Sequence, residues 1–258
     1  MLCATLGAAI AIGTIALTGF AGTAQAEEAA KATEAAKEQS PATAEATPEK
    51  QAELTPEEKE FREAMQAVGV AFSQRHFQEA LEKLETAEKL RPDSDDVRGA
   101  RAGILAETGK YDEALAIYDK MVEAHPKAFV PRFNQAEVFC MQKKYDEANT
   151  RFEALLKDFP ESDFLCFKMM LIAMAQKDNA KAVEWGRRLQ RPTPTPVMYY
   201  AAAALSISGG EILKGKALIL AAEKDFGPGQ HSLLYQSLAA MGLVLQGDYP
   251  PTPPQAAN

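Results

Sequence analysis

The sequence predicts an all-α protein, an α-solenoid of stacked helix-turn-helix hairpins. The first observation behind this prediction is a spacing of 34 residues at which an alanine and a proline both recur: Ala80, Ala114, Ala148 and Ala182, then Pro92, Pro126, Pro160 and Pro194. The second is that Lys-Tyr-Asp-Glu-Ala occurs at 110–114 and again at 144–148. A repeat of this length is typical of helical hairpins that stack, because one hairpin cannot bury its own apolar face.

The recurring residues predict how each hairpin packs. A turn near Gly109 or Lys143 leads into a second helix of roughly three turns. The alanine is small, so the two helices can approach closely, and an aromatic residue three positions earlier fills the space beside the turn: Phe77, Tyr111 and Tyr145. The proline ends the second helix, because it lacks a backbone N–H and restricts the residue before it.

The sequence also predicts the two ends of the repeat region. Thr55 is expected to cap the first helix, with Pro56 at the first helical position and Glu58 completing a capping box. In a fifth hairpin, Gly215 takes the close-contact position of the alanine. A last helix is predicted from Gln230 to Leu245, where it caps the stack with one apolar stripe: Leu233, Leu234, Leu238, Met241 and Leu245.

These positions resemble the tetratricopeptide repeat (TPR) over roughly residues 61–228. The resemblance is strongest in the three units that keep both the small residue and the proline: 61–94, 95–128 and 129–162. Three residues stand where the first helix of the family's repeat usually has an aromatic side chain: Ala64, Arg98 and Arg132. The resemblance implies a right-handed solenoid that binds other proteins without catalysis and without a cofactor.

Residues 1–26 are predicted to be a secretory signal peptide. They contain no Asp, Glu, Lys or Arg, and Ala24-Gln25-Ala26 follows their apolar core. Small residues at the positions of Ala24 and Ala26 are typical of a site that signal peptidase cleaves. The alternative is an uncleaved anchor in the inner membrane formed by residues 2–26, which are enough for the ~20 residues that a spanning helix needs. The main prediction is export to the periplasm or the exterior.

Two polar segments flank the predicted repeat domain, which covers residues 56–246. Residues 27–55 form an acidic linker of Ala, Glu and Lys without aromatic side chains. We expect disorder there, because such a segment cannot bury enough apolar surface to offset the entropy of ordering. The linker is either a spacer or an acidic partner-binding tail. Residues 247–258 form a proline-rich tail for which disorder is also predicted.

The family resemblance implies partner contacts on the first helix of each hairpin, which lines the inner face of a TPR solenoid. The candidate partner-binding residues at such positions are apolar: Phe72, Phe133, Met141, Phe167, Leu171 and Met174. Met and Phe side chains make an adaptable surface, and an exposed patch of this kind marks a binding groove. Two alternatives stay open, because the face is either an open groove or is filled by the protein's own last helix or a tight superhelical turn.

The composition argues against other classes of function. The net charge of -8 does not provide the basic face that nucleic-acid binding needs. The three histidines are scattered, so a metal site is not predicted, and no set of acid and base residues converges for catalysis. Cys140 and Cys166 are predicted to be buried thiols, because their repeat positions separate them by ~12 Å along the helix axis. Some co-chaperones of the TPR family hold a C-terminal carboxylate with a clamp of Lys, Asn and Arg side chains. In this sequence only Asn134 stands at a clamp-like position, and it is in the wrong repeat.

The sequence therefore predicts a non-catalytic protein–protein interaction scaffold or adaptor of the bacterial envelope. Its partner is a protein or peptide that the sequence does not identify. Contact with a membrane is expected only through the signal peptide or anchor. The alternative function is a structural accessory subunit of an envelope secretion or assembly machine, in which the solenoid is buried.

Overall fold

A computed structural model describes residues 55–227, 229 and 231–245. These residues form α-helices without a strand: α1 (Pro56–Ser73), α2 (Phe77–Leu90), α3 (Asp95–Glu107), α4 (Tyr111–Ala124), α5 (Phe129–Met141), α6 (Tyr145–Asp158), α7 (Asp163–Ala175), α8 (Asn179–Arg188), α9 (Pro196–Ser208), α10 (Ile212–Phe226) and α11 (Ser232–Ala240). The predicted fold class, an all-α array of helical hairpins, is confirmed. The predicted signal peptide, most of the acidic linker and the proline-rich tail lie outside the described residues.

The described chain divides into two compact units between Pro131 and Arg132, a point that lies within α5. The first unit contains α1 to α4, and its hydrophobic core includes Phe61, Val68 and Leu84. The second unit contains most of α5 and all of α6 to α11. None of the helices in the described ranges is long and apolar enough to cross a membrane.

The first helix begins where the sequence predicts. Thr55 is the N-cap of α1, and its side-chain oxygen accepts a hydrogen bond from the backbone N–H of Glu58 at 3.2 Å. Pro56 occupies the first turn, where its missing N–H leaves no hydrogen bond unmade. The cap therefore satisfies one of the donors that every helix N-terminus leaves free.

The close-contact positions of the repeat are buried as predicted. The small residues that let the hairpin helices approach are all at most 2% exposed: Ala80, Ala114, Ala148 and Ala182. The larger residue four positions later is fully buried in the first three hairpins: Leu84, Tyr118 and Phe152. In the fifth hairpin, Gly215 replaces the alanine, and a Cβ atom there would lie 2.3 Å from Ile207 Cγ1. Only glycine therefore fits where α9 and α10 cross, unless the neighbouring residues shift.

The hairpin turns share one backbone conformation. The residue at each turn has a positive φ angle of about the same size: Arg75 (60°), Gly109 (81°), Lys143 (59°), Lys177 (60°) and Gly210 (88°). The first four are spaced by 34 residues. A left-handed conformation costs little for glycine but roughly 1–2 kcal/mol for other residues. Three of the five turns are therefore strained by a Cβ atom.

Replacing Lys143 with glycine is expected to stabilise the protein by about 0.5–1 kcal/mol. The change relieves the left-handed strain of roughly 1–2 kcal/mol, and the greater entropy of glycine in the unfolded chain offsets part of that gain. Lys143 is exposed, so no packing is lost. Urea unfolding monitored by circular dichroism measures the change.

The matched control is the reverse substitution at the equivalent turn, Gly109→Ala. No atom lies within 4 Å of a Cβ built on Gly109, so only the backbone conformation is affected. We expect this variant to be destabilised by roughly 1 kcal/mol. If both variants unfold like the wild type, turn strain does not contribute to the stability of these hairpins.

Two predicted helix ends are wrong. Helix α8 ends at Arg188, well before Pro194, so this proline does not terminate the helix as its counterparts do in the first three hairpins. The last helix is shorter than predicted and ends at Ala240, because Gly242 takes a φ of 69° and the N–H of Leu243 bonds to the Leu238 carbonyl at 3.0 Å. This arrangement is a glycine C-cap.

The shorter last helix changes which of its residues are buried. Leu234 and Leu238 of the predicted stripe are buried, and Met241 packs beside them. Leu245, the last residue of the predicted stripe, lies beyond the helix and is 74% exposed. The glycine at 242 is the sequence signal that marks this end.

Candidate functional site

Three of the predicted partner-binding residues are in the core of the second unit. Phe133 and Phe167 are 0% exposed and Leu171 is 2% exposed. The Phe133 ring lies 5.5 Å from the rings of Phe152 and of Phe164, which fill the space around it. The prediction that these three side chains line an open groove is therefore wrong for this structure.

Helix α9 packs against the helix α7 that carries Phe167 and Leu171, and both residues are buried. Phe167 and Leu171 belong to one hydrophobic cluster with residues of α9, α10 and α11. The members from these later helices include large buried side chains: Tyr200, Ile219, Leu234, Tyr235 and Leu238. The sequence left open whether this face of α7 is an open groove or is filled by the protein itself. For Phe167 and Leu171 the face is filled.

The other three predicted residues keep part of their surface exposed. Phe72, Met141 and Met174 are all half-buried. The Phe72 ring makes an edge contact with Phe77 at 5.6 Å, and Met174 packs against the cluster that contains Phe167. Partner binding at these three residues stays a prediction.

A buried ion pair joins α5 to α7. Lys168 Nζ donates to Glu137 Oε2 at 2.9 Å, and the side chains of Lys168 and Glu137 are only 7% and 0% exposed. Burial raises the pKa of Glu137, and the nearby Lys168 ammonium partly opposes that rise. The sequence pattern does not predict this pair. One sequence feature could have indicated it: Lys168 is the single charged residue in the apolar run 165–173.

Polar atoms beside this ion pair are buried without a hydrogen bond. Within the ranges that the structure describes, the second carboxylate oxygen of Glu137 has no partner, and neither has the side-chain oxygen or nitrogen of Asn134. Both residues are on α5, three positions apart, so they share one face of the helix. Asn134, Glu137 and Lys168 are called the polar cluster below. Unpaired buried polar groups cost stability and are rare in folded proteins.

A second buried carboxylate fixes the start of the last helix. Glu223 on α10 accepts hydrogen bonds from the Tyr200 hydroxyl at 2.8 Å and from the Gly229 N–H at 2.7 Å, and its Oε1 lies 3.1 Å from His231 Nδ1. These contacts connect α9, α10 and the residue that precedes α11. They explain how α11 is held over the hydrophobic cluster.

The two cysteines within the described residues show no feature of a reactive site. Cys140 and Cys166 are free thiols, and Cys166 is buried while Cys140 keeps some exposed surface. Burial raises the pKa of both thiols, and the Glu137 carboxylate raises that of Cys140 further. Both thiols are therefore protonated near neutral pH and poor nucleophiles. The part of the chain that the structure describes has no group of three His, Cys, Asp or Glu residues placed to hold a metal.

Comparisons with known proteins agree with the repeat pattern. Two tetratricopeptide repeat family models match residues 69–129 and residues 132–162. Among solved structures, a tetratricopeptide repeat protein from Parabacteroides merdae ATCC 43184 is similar, with 15% sequence identity and a TM-score of 0.55. That likeness covers 89% of this chain and 83% of the other. Comparison with curated proteins gives no match.

These matches confirm the TPR resemblance for both matched segments, and the similar structure supports the α-solenoid fold class. Repeats of this type indicate a protein–protein interaction scaffold in general. They do not indicate which protein is bound.

Proposed function

We propose that the chain is a non-catalytic scaffold or adaptor of the bacterial envelope that binds protein or peptide partners through its helical repeats. The observation that supports binding is the array of hairpins, since solenoids present long surfaces rather than reaction pockets. The observation that supports an envelope location is the uncharged apolar stretch of residues 1–26 ending in Ala24-Gln25-Ala26. An adaptor of this kind meets its partners in the periplasm or outside the cell.

The export part of the proposal predicts a mature chain that begins at Glu27. Signal peptidase needs small residues at the two sites that Ala24 and Ala26 occupy. N-terminal sequencing of the protein recovered from the periplasm or medium of a bacterial host measures the start. A chain that retains Met1 and stays in the membrane fraction would instead support the anchor formed by residues 2–26.

The binding part of the proposal places partner contacts on the half-buried Phe72, Met141 and Met174. We expect Met174→Glu to reduce recovery of partners from an envelope extract while the melting curve changes little. Val70, which is 50% exposed on α1, supplies the control substitution Val70→Glu. Equal recovery of partners by both variants would show that Met174 is not in the binding surface.

The alternative, a structural subunit of an envelope machine, is favoured by exposed aliphatic side chains in the second unit. Four of these are on helices α8, α9 and α10: Val183, Leu205, Ile212 and Leu213. Exposed apolar side chains of this kind are typical of surfaces that a stable partner covers. A stoichiometric complex that Leu213→Glu disrupts would favour the subunit, whereas many substoichiometric partners would favour the adaptor.

A further inference from the structure

We propose that the acidic linker, residues 27–55, docks within the same molecule on an exposed basic patch of α8. The patch consists of Lys181, Trp185, Arg187 and Arg188, and it is called the α8 patch below. It lies on the second helix of its hairpin, and the inference does not depend on the proposed scaffold function. The linker is then a binding segment and not only a spacer.

The α8 patch is exposed and positively charged. The side chains of Lys181, Arg187 and Arg188 are exposed, and Trp185 is half-buried beside them. One carboxylate, that of Glu184, lies among these residues in the sequence. The solvent side of α8 therefore carries an excess of positive charge.

The three cations of the α8 patch form no ion pair with a carboxylate within the residues that the structure describes. By contrast, the next arginine along the chain, Arg191, pairs with Asp163 at 2.6 Å. Arg188 instead lies over the Trp185 ring, with its guanidinium carbon 4.7 Å from the ring centroid. A stacked guanidinium still presents its in-plane N–H donors to a carboxylate. The patch is therefore able to accept acidic side chains from outside α8.

The charge of the chain is distributed in a way that directs the linker to the second unit. The linker contains seven Glu and three Lys. The first unit has 16 acidic and 11 basic residues over 56–131, whereas the second unit has 12 acidic and 14 basic residues over 132–245. Like charge therefore disfavours docking of the linker on the first unit, and opposite charge favours docking on the second.

The linker is long enough to reach the patch. A fully extended segment of 29 residues spans up to ~100 Å. Its junction at Thr55 therefore does not confine the linker to the first unit. Each exposed ion pair is weak by itself. Because the linker is tethered, its effective concentration is on the order of mM, and several weak contacts are enough to occupy the patch.

The test measures how well acrylamide, a neutral quencher, reaches Trp185 in the full chain. Trp185 is the only tryptophan of the sequence, so its fluorescence reports on the α8 patch alone. A docked linker shields the ring at low salt and is released at high salt, because the Debye length falls from ~30 Å at about 0.01 M to ~3 Å at about 1 M ionic strength. We expect the quenching constant to rise by at least about 1.5-fold over this range, since ion pairs at an exposed surface are screened. A quenching constant that does not change with salt would overturn the docking.

A linker variant identifies the occupant of the patch. It replaces all seven linker glutamates by glutamine: Glu27→Gln, Glu28→Gln, Glu34→Gln, Glu38→Gln, Glu45→Gln, Glu49→Gln and Glu53→Gln. At low salt this variant should already show the quenching constant that the wild type reaches at high salt. If it keeps the salt dependence of the wild type, the linker is not the occupant and the proposal is wrong.

A second pair of variants locates the docking site. Lys181→Gln combined with Arg187→Gln removes two cations of the patch and leaves Arg188 stacked on Trp185, and we expect it to lose most of the salt dependence. The matched control is Lys216→Gln combined with Lys224→Gln, which removes two exposed cations from α10 in the same unit and should respond as the wild type does. Equal responses of the two double variants would contradict docking on the α8 patch.

Protein concentration separates docking within one molecule from docking between two copies. An intramolecular contact gives the same salt effect over about a hundredfold range of protein concentration. A salt effect that appears only at the higher concentrations would mean that the linker binds a second copy of the chain, and intramolecular docking would be wrong.

Discussion

Lys168→Met is expected to destabilise the second unit by about 3–5 kcal/mol. Methionine keeps most of the volume of the lysine stem, so the loss comes mainly from charge. It leaves the Glu137 carboxylate buried at 0% exposure without the ammonium that lies 2.9 Å away in the wild type. Urea unfolding followed by circular dichroism measures the free energy of unfolding. The exposed pair Lys214–Glu211, at 2.7 Å, provides the control, because Lys214→Met should cost less than ~1 kcal/mol.

A double variant tests whether the loss comes from the uncompensated charge. Replacing Glu137 with leucine in the Lys168→Met background removes the remaining buried charge and one of the unpaired oxygens. Buried ion pairs replaced by apolar side chains often leave stability unchanged or higher. We therefore expect the double variant to recover most of the loss. A double variant as unstable as Lys168→Met would show that packing, and not charge, accounts for the effect.

The same pair predicts how the loss varies with pH. Burial raises the pKa of Glu137 in the folded protein above its unfolded value. The stability that this group contributes is therefore full below the unfolded pKa, and it falls as pH rises through the folded pKa. Without Lys168, which lowers that pKa, the folded pKa rises further and the fall continues to higher pH. The difference in unfolding free energy between wild type and Lys168→Met should therefore be larger at pH 8 than at pH 5. An equal difference at both values would contradict the lowering of the Glu137 pKa by Lys168.

The features that the sequence predicted well are those repeated at a fixed spacing. The burial of Ala80, Ala114 and Ala148 follows from a short local pattern that occurs several times. Each repeat therefore supports the prediction of the same buried position in the others. The N-cap at Thr55 is equally local, since it depends on four consecutive residues. Helix ends without a repeated signal were predicted less well, as the early end of α8 and the glycine cap at Gly242 show.

The candidate site was predicted less well, because its residues depend on contacts distant along the chain. Periodicity identifies the helix face on which Phe133 and Phe167 lie, but it does not show whether a later helix covers that face. The pairing of Lys168 with Glu137 joins two side chains 31 residues apart. No local pattern in one sequence selects that partner. The structure adds a feature that the sequence pattern does not predict, the buried polar cluster of Asn134, Glu137 and Lys168.

The burial of Phe167 predicts a large loss of stability for Phe167→Glu. The side chain is 0% exposed within the cluster formed by α7, α9, α10 and α11. Removing a buried phenylalanine costs about 3–5 kcal/mol in other proteins, and a carboxylate placed there adds the cost of burying a charge. At 2–4 °C for each kcal/mol, the melting temperature should fall by roughly 10 °C or more. Thermal unfolding monitored by circular dichroism measures the shift.

Leu213→Glu is the matched control for this substitution, because it introduces the same charge in the same unit at a side chain that is 78% exposed. We expect it to change the unfolding free energy by no more than ~0.5 kcal/mol. A variant Phe167→Glu that melts like the wild type but no longer binds a partner would mean that the face of α7 is open in solution. A variant that unfolds at a much lower temperature would show that Phe167 is a core residue, so that partner contacts must be made by side chains with exposed surface, such as the half-buried Phe72, Met141 and Met174.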